Sequence, residues 1–156
     1  MQIAVCGPAE PRPEDVVHAA EVGRLLAELG ATVLCGGYGG VMEAVARGAW
    51  DAGGMTVGIL SGPDAAGANP YLTVKISTGM GQARNVVLVR SAQAVIVIGG
   101  SWGTLSELAI ACRLGIPAVA LGGWRVLDRW GDPVSGVVTA GSPQEAVDLA
   151  LSEGRV

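Results

Sequence analysis

Ala94-Val95-Ile96-Val97-Ile98-Gly99-Gly100-Ser101-Trp102-Gly103-Thr104-Leu105-Ser106-Glu107 is the stretch that decides the fold class. Its first five residues are continuously apolar and mostly β-branched, the pattern of a central parallel strand buried on both faces. The glycine pair ends the strand, and residues 104–114 have helical spacing. A buried strand that runs through a Gly-rich turn into a helix is one unit of a doubly wound parallel sheet.

The same unit recurs to either side. Residues 2–6 read as a strand and 14–29 as a helix stopped by Gly30. Strand 31–35 leads through Gly36-Gly37-Tyr38-Gly39-Gly40 into a helix over 41–52. Strands follow at 55–60 and 73–77, separated by a loop with two prolines, and a helix is expected over about 82–91. Beyond the opening stretch come strand 117–121, a Trp-bearing loop at 122–135, strand 136–139 and a helix over 142–152. Ser142-Pro143-Gln144-Glu145 starts that helix with a capping-box pattern and Pro at its first position. Residues 1–156 are therefore expected to form a single α/β domain with helices on both faces of one parallel sheet.

Composition narrows the chemistry. Half of the 156 residues are apolar, 15% are charged, and the net charge is −4. No basic stripe is present, which argues against a duplex nucleic-acid partner. No uninterrupted apolar run is long enough to span a membrane, and Met1-Gln2-Ile3-Ala4-Val5 lacks the basic start of a signal peptide. The three cysteines, Cys6, Cys35 and Cys112, show no C-x-x-C spacing and read as reduced thiols of a cytoplasmic protein. With His18 the sole histidine, a His-based triad or multi-His metal site is not expected.

Ligands of open α/β sheets bind beyond the carboxyl ends of the strands. The residues expected there are Gly7, the turn with Gly36, Gly37, Gly39 and Gly40, the segment around Arg84, and Gly99, Gly100, Ser101, Trp102, Gly103 and Thr104. A helix start offers free N–H groups and the positive end of a dipole, so each Gly-rich turn is suited to a phosphate. Tight strand–helix packing is the competing reason for the same glycines. Neither turn matches G-x-G-x-x-G, and no Walker lysine is present.

Arg84 falls in the first turn of its helix, where a cation has the wrong sign for the dipole; an anionic ligand or a neighbouring carboxylate would offset it. Glu107 has two readings. It occupies the N3 position of a capping box, Thr104-Leu105-Ser106-Glu107, or it is a catalytic carboxylate. Trp102 either stacks on a base or packs, while Trp50, Trp124 and Trp130 read as core or subunit-interface anchors.

Three segments in order, Gly36-Gly37-Tyr38-Gly39-Gly40-Val41-Met42-Glu43-Ala44, Gly81-Gln82-Ala83-Arg84-Asn85 and Gly99-Gly100-Ser101-Trp102-Gly103-Thr104-Leu105-Ser106-Glu107, resemble the Lonely Guy and molybdenum-cofactor-carrier superfamily of Rossmann-like nucleotide-binding proteins. The third is the most specific. The resemblance implies one of two functions. Lonely Guy enzymes cleave the N-glycosidic bond of nucleoside 5′-monophosphates to free base and ribose 5-phosphate, using an arginine in M-H-E-R-K and the glutamate of P-G-G-x-G-T-x-x-E. Arg84 and Glu107 match that pair. Glycosidic cleavage builds positive charge on the ribose, which a carboxylate can stabilise. The carrier branch instead holds a phosphorylated pterin cofactor without chemistry. Ile98 stands where the enzymes have proline, and Gly81, Gln82, Ala83 and Asn85 replace the residues around the arginine.

The resemblance further implies a phosphorylated small-molecule ligand, no required cofactor and a homodimer or larger homo-oligomer. Members of the superfamily often carry the label "possible lysine decarboxylase". That chemistry needs a Schiff-base lysine, and Lys75, the one lysine, lies in a strand pattern.

Overall fold

The computed structural model describes residues 1–154. Its elements in chain order are β1 (Gln2–Cys6), α1 (Pro13–Glu28), β2 (Thr32–Cys35), α2 (Val41–Asp51), β3 (Thr56–Leu60) and β4 (Val74–Ser77). A 3₁₀ turn at Gly81–Ala83 then leads into α3 (Arg84–Arg90), β5 (Ala94–Ile98), α4 (Trp102–Leu114), β6 (Ala118–Leu121), β7 (Val137–Ala140) and α5 (Pro143–Glu153).

All seven strands are parallel, in the order β4-β3-β2-β1-β5-β6-β7. The chain winds outward from β1 in one direction through β4, then returns to lay β5 on the other side of β1. The topological switch point is therefore between β1 and β5, where Ile3 pairs with Ala94 and Cys6 with Val97. There the loops leaving the two strands diverge and open a crevice.

Alternation along the strands divides the core into two layers. Ile3, Val5, Val33, Ile96 and Ile98 pack beneath α1, α2 and α5. Ala4, Leu34, Val95 and Val97 pack beneath α3 and α4. Every residue of β5 is buried, as expected of a strand covered on both faces. The α1–α2 pair is close because glycines permit it. A Cβ on Gly23 would stand 2.1 Å from the Val45 carbonyl oxygen, and one on Gly48 2.0 Å from that of Ala20.

Two helix starts differ from the sequence reading. The helix expected over 82–91 begins as the 3₁₀ turn, so Arg84 is the first α-helical residue. The helix expected over 104–114 begins two residues earlier, at Trp102. Ser101 is its N-cap, and the Ser101 hydroxyl accepts the Thr104 N–H at 3.2 Å. The Thr104–Glu107 capping box is thus not formed. Ser101 supplies the cap, and Glu107 lies a full turn inside α4.

Candidate functional site

The crevice at the switch point holds a cavity of about 310 Å³. Its wall brings together residues from five segments: Cys6 and Gly7 at the end of β1, Gly36 and Tyr38 after β2, Ser61 after β3, Arg84 on α3, and Ser101, Gly103, Thr104 and Glu107 on α4. Volumes from about 300 Å³ upward are typical of small-molecule sites.

Arg84 dominates its chemistry. The residue is 8% exposed, and its Nε and Nη1 have no hydrogen-bond partner. Nη1 stands 3.7 Å from Oε1 of Glu107, an ion pair too long for a hydrogen bond. Buried polar groups are normally satisfied, so a guanidinium in this state is a receptor for an acceptor-rich group. Gly36 makes room for it, because a Cβ there would lie 2.6 Å from both terminal nitrogens.

The start of α4 faces the same cavity. Thr104 N–H is taken by the Ser101 hydroxyl and Leu105 N–H by the Ser101 carbonyl. The Trp102 and Gly103 N–H groups have no acceptor within the helix, as in any first turn. The start of α2 is more closed, because Val41 N–H donates to the Pro8 carbonyl at 3.0 Å.

Glu107 is 6% exposed. Burial pushes its carboxyl above the usual range, and Arg84 and the Cys6 thiol beside it only partly restore the charged form. Burial first, and Glu107 second, push the Cys6 thiol well up; burial takes Cys35 to about 11. Asn85 anchors the wall by donating to the Ser106 hydroxyl at 2.9 Å, and its Oδ1 has no partner. Tyr38 is fixed by Ser61 N–H and Gly62 N–H, each donating to its hydroxyl at 3.1 Å.

The sequence-expected residues divide into two groups. Gly7, Gly36, Arg84, Ser101, Gly103, Thr104 and Glu107 line the cavity. Gly37, Gly39, Gly40, Gly99, Gly100 and Trp102 do not. Gly40, at φ +70°, turns the chain against the Pro8 and Ala9 carbonyls, and Gly37 packs on Leu60. Gly99, at φ +63°, abuts the Asp15 carboxylate, and Gly100 abuts the Trp124 ring. Both line a neighbouring cavity of about 540 Å³, with Asp15, His18 and Trp124. Trp102 is 77% exposed at the rim, its ring 5.3 Å from that of Trp124, whose indole N–H donates to the Ser101 carbonyl. Trp50 and Trp130, read as core or interface anchors, are both exposed.

The sequence reading missed Cys6, Ala9, Met42, Ser61 and Asn85 as wall residues, whereas Tyr38 and Gln82 fall within the segments expected at the strand ends. For Cys6 and Asn85 a signal existed, the end of a strand and the neighbour of Arg84. For Ser61 only the strand order reveals it.

Residues 1–147 match the SLOG cluster4 family model. The chain belongs to the SLOG cluster4 family. It is 40% identical over 158 residues to an uncharacterised protein of Archaeoglobus fulgidus, covering 97% of this chain and 95% of that one. Among solved structures it is similar to the molybdenum cofactor binding protein of Rippkaea orientalis, with a TM-score of 0.88, 33% identity and coverage of 97% and 95%. It is also similar to the molybdenum cofactor carrier protein of Chlamydomonas reinhardtii, with a TM-score of 0.84, 30% identity and coverage of 98% and 97%. These likenesses place this SLOG cluster4 member in the Lonely Guy and molybdenum-cofactor-carrier superfamily and bear out the Rossmann-like α/β fold. No helix of the described residues is long and apolar enough to cross a membrane. Nor do they contain a group of three or more His, Cys, Asp or Glu side chains placed to hold a metal ion.

Proposed function

We propose that this SLOG cluster4 protein binds and carries a phosphorylated pterin cofactor of the molybdenum-cofactor class, holding it without chemical change. The observation that carries the reading is the buried Arg84 guanidinium, with Nε and Nη1 free, beside the open start of α4. Together they form an anion receptor at the switch point. The two solved relatives described as binding or carrying molybdenum cofactor support the choice of cargo. The cargo's phosphate lies against Arg84 and the Gly103 N–H group, and its ring system extends toward the cavity mouth. Glu107 then serves as Arg84's counter-ion rather than as a catalyst.

One observation favours the hydrolase alternative. Arg84 and Glu107 share a cavity wall, as the resemblance to Lonely Guy enzymes requires. Incubation with a panel of nucleoside 5′-monophosphates, followed by chromatography for free base, separates the readings. The carrier reading expects no base to be released. Release that depends on Glu107 would replace it with the hydrolase reading.

The same proposal takes the protein to be cytoplasmic and homo-oligomeric. Trp50, half exposed on α2, offers an apolar anchor for a second copy. Light scattering at micromolar concentration tests the assembly, and a monomer mass would refute it.

A further inference from the structure

The Arg84–Glu107 pair is an unusual arrangement for a purely structural salt bridge. Both residues are more than nine-tenths buried, yet no hydrogen bond joins them at 3.7 Å, and two of the guanidinium nitrogens remain unsatisfied. A structural pair closes to hydrogen-bond distance and satisfies its donors. This one stays apart, and both of its residues line the cavity. We propose that Glu107 is the internal counter-ion of Arg84, that an anionic group of the ligand displaces it there, and that Glu107 takes up a proton from solvent in the exchange. The inference rests on the proposed reading that an anionic ligand group reaches Arg84.

The argument is one of charge in a dry site. In the free protein, one guanidinium faces one carboxylate and the pocket is close to neutral. A bound anion adds a second negative charge against the same single cation. The start of α4 contributes only partial charges. An uncompensated buried carboxylate is costly, and the usual resolution is to neutralise it.

The surrounding groups leave Glu107 as the one that responds. Cys6, from the end of β1, lies beside its carboxylate, and Cys35, from β2, and Tyr38, from the following turn, feel the Arg84 charge. Burial keeps both thiols protonated near neutral pH, so neither can accept a proton there. Tyr38 enters this pH range protonated and likewise has no proton to gain. Burial already favours the protonated form of Glu107, and the Arg84 charge is the larger influence opposing it. Engaging Arg84 with another anion removes that opposition.

The consequence is a binding equilibrium linked to one proton. Ligand binds more tightly as pH falls and leaves as pH rises, by up to about tenfold per pH unit from this group alone. The ligand's phosphate works in the opposite sense, because its second ionisation, near 6, favours binding of the dianion at higher pH. A comparison of wild type with Glu107→Gln cancels the phosphate contribution.

The test uses the full chain and 6-hydroxymethylpterin phosphate as the probe. Titration calorimetry in buffers of different ionisation enthalpy reads the protons taken up on binding, between pH 5 and 8. Wild type is expected to take up more protons than Glu107→Gln. The ratio of the two dissociation constants is expected to rise with pH in favour of the variant. Carbon NMR of the Glu107 carboxyl in wild type gives a second reading that needs no variant, and its titration midpoint should move upward in saturating probe. Binding with equal proton uptake in both proteins, or a midpoint that stays or falls, overturns the inference and leaves the carrier reading standing. Failure of the probe to bind at any pH overturns both.

Discussion

Nη1 of Arg84 stands 3.7 Å from Oε1 of Glu107, in contact by charge but not joined by a hydrogen bond. The separation is produced by the fold. Arg84 opens α3 after a 3₁₀ turn, and Glu107 sits on the second turn of α4. The two helices cover the same sheet face, and their facing ends meet at the β1–β5 switch point.

Arg84→Ala should fold and lose ligand affinity. A hydrogen bond to a charged group contributes about 1.5–3 kcal/mol, so phosphate-dependent binding should weaken roughly 10- to 100-fold. Arg84→Lys should recover only part of it, because an ammonium cannot reproduce the planar fork. Calorimetric titration of both variants checks this. Unchanged affinity in Arg84→Ala would remove the residue from the site.

Glu107 also sets a pH dependence of stability. Burial raises its folded-state pKa above the unfolded value. For a raised acid, the stabilising contribution is complete below the unfolded pKa, about 4.3, and is lost as pH rises through the folded value. Urea unfolding of wild type and Glu107→Gln from pH 4 to 8 should therefore show wild type losing stability relative to the variant as pH increases. A parallel pair of curves would contradict the assignment.

Three glycines of the first turn should respond differently to alanine. At Gly36 the added methyl meets the flexible ends of Arg84 and Met42, so Gly36→Ala should stay folded but displace the guanidinium and weaken ligand binding. At Gly40 it meets the Pro8 and Ala9 carbonyls at φ +70°, so Gly40→Ala should destabilise by more than about 1 kcal/mol. At Gly39 the nearest atom is 3.9 Å away, so Gly39→Ala should be close to neutral. Thermal unfolding together with ligand titration distinguishes the three.

Trp102 and Trp124 form the fourth contrast. Trp102→Ala removes a side chain that is mostly in solvent and should change stability by less than about 0.5 kcal/mol. Trp124→Phe loses the hydrogen bond to the Ser101 carbonyl and should cost about 1 kcal/mol, read by urea unfolding.

Much of this was legible in the sequence. Ala94–Ile98 could only be a strand covered on both faces, and each Gly-rich segment announced a strand–helix turn. The start of α4 differs from the sequence reading because Ser101-x-x-Thr104 carries cap chemistry as well as Thr104-x-x-Glu107. Local pattern could not choose between them; packing of Thr104 and Glu107 into the interior does. The strand order depends on which distant strands pair, so the joining of Cys6, Ser61 and Arg84 in one wall was out of reach. Arg84 and Glu107 were found individually, by a misplaced charge and by the family motif, but their mutual distance belongs to the fold.

The most direct measurement is equilibrium binding of 6-hydroxymethylpterin phosphate against its dephosphorylated counterpart, with the ligand recovered afterwards and analysed. The account predicts saturable binding of the phosphorylated form, much weaker binding of the other, and recovery of the ligand unchanged. Equal binding of the two forms, or recovery of a cleaved product, would contradict it.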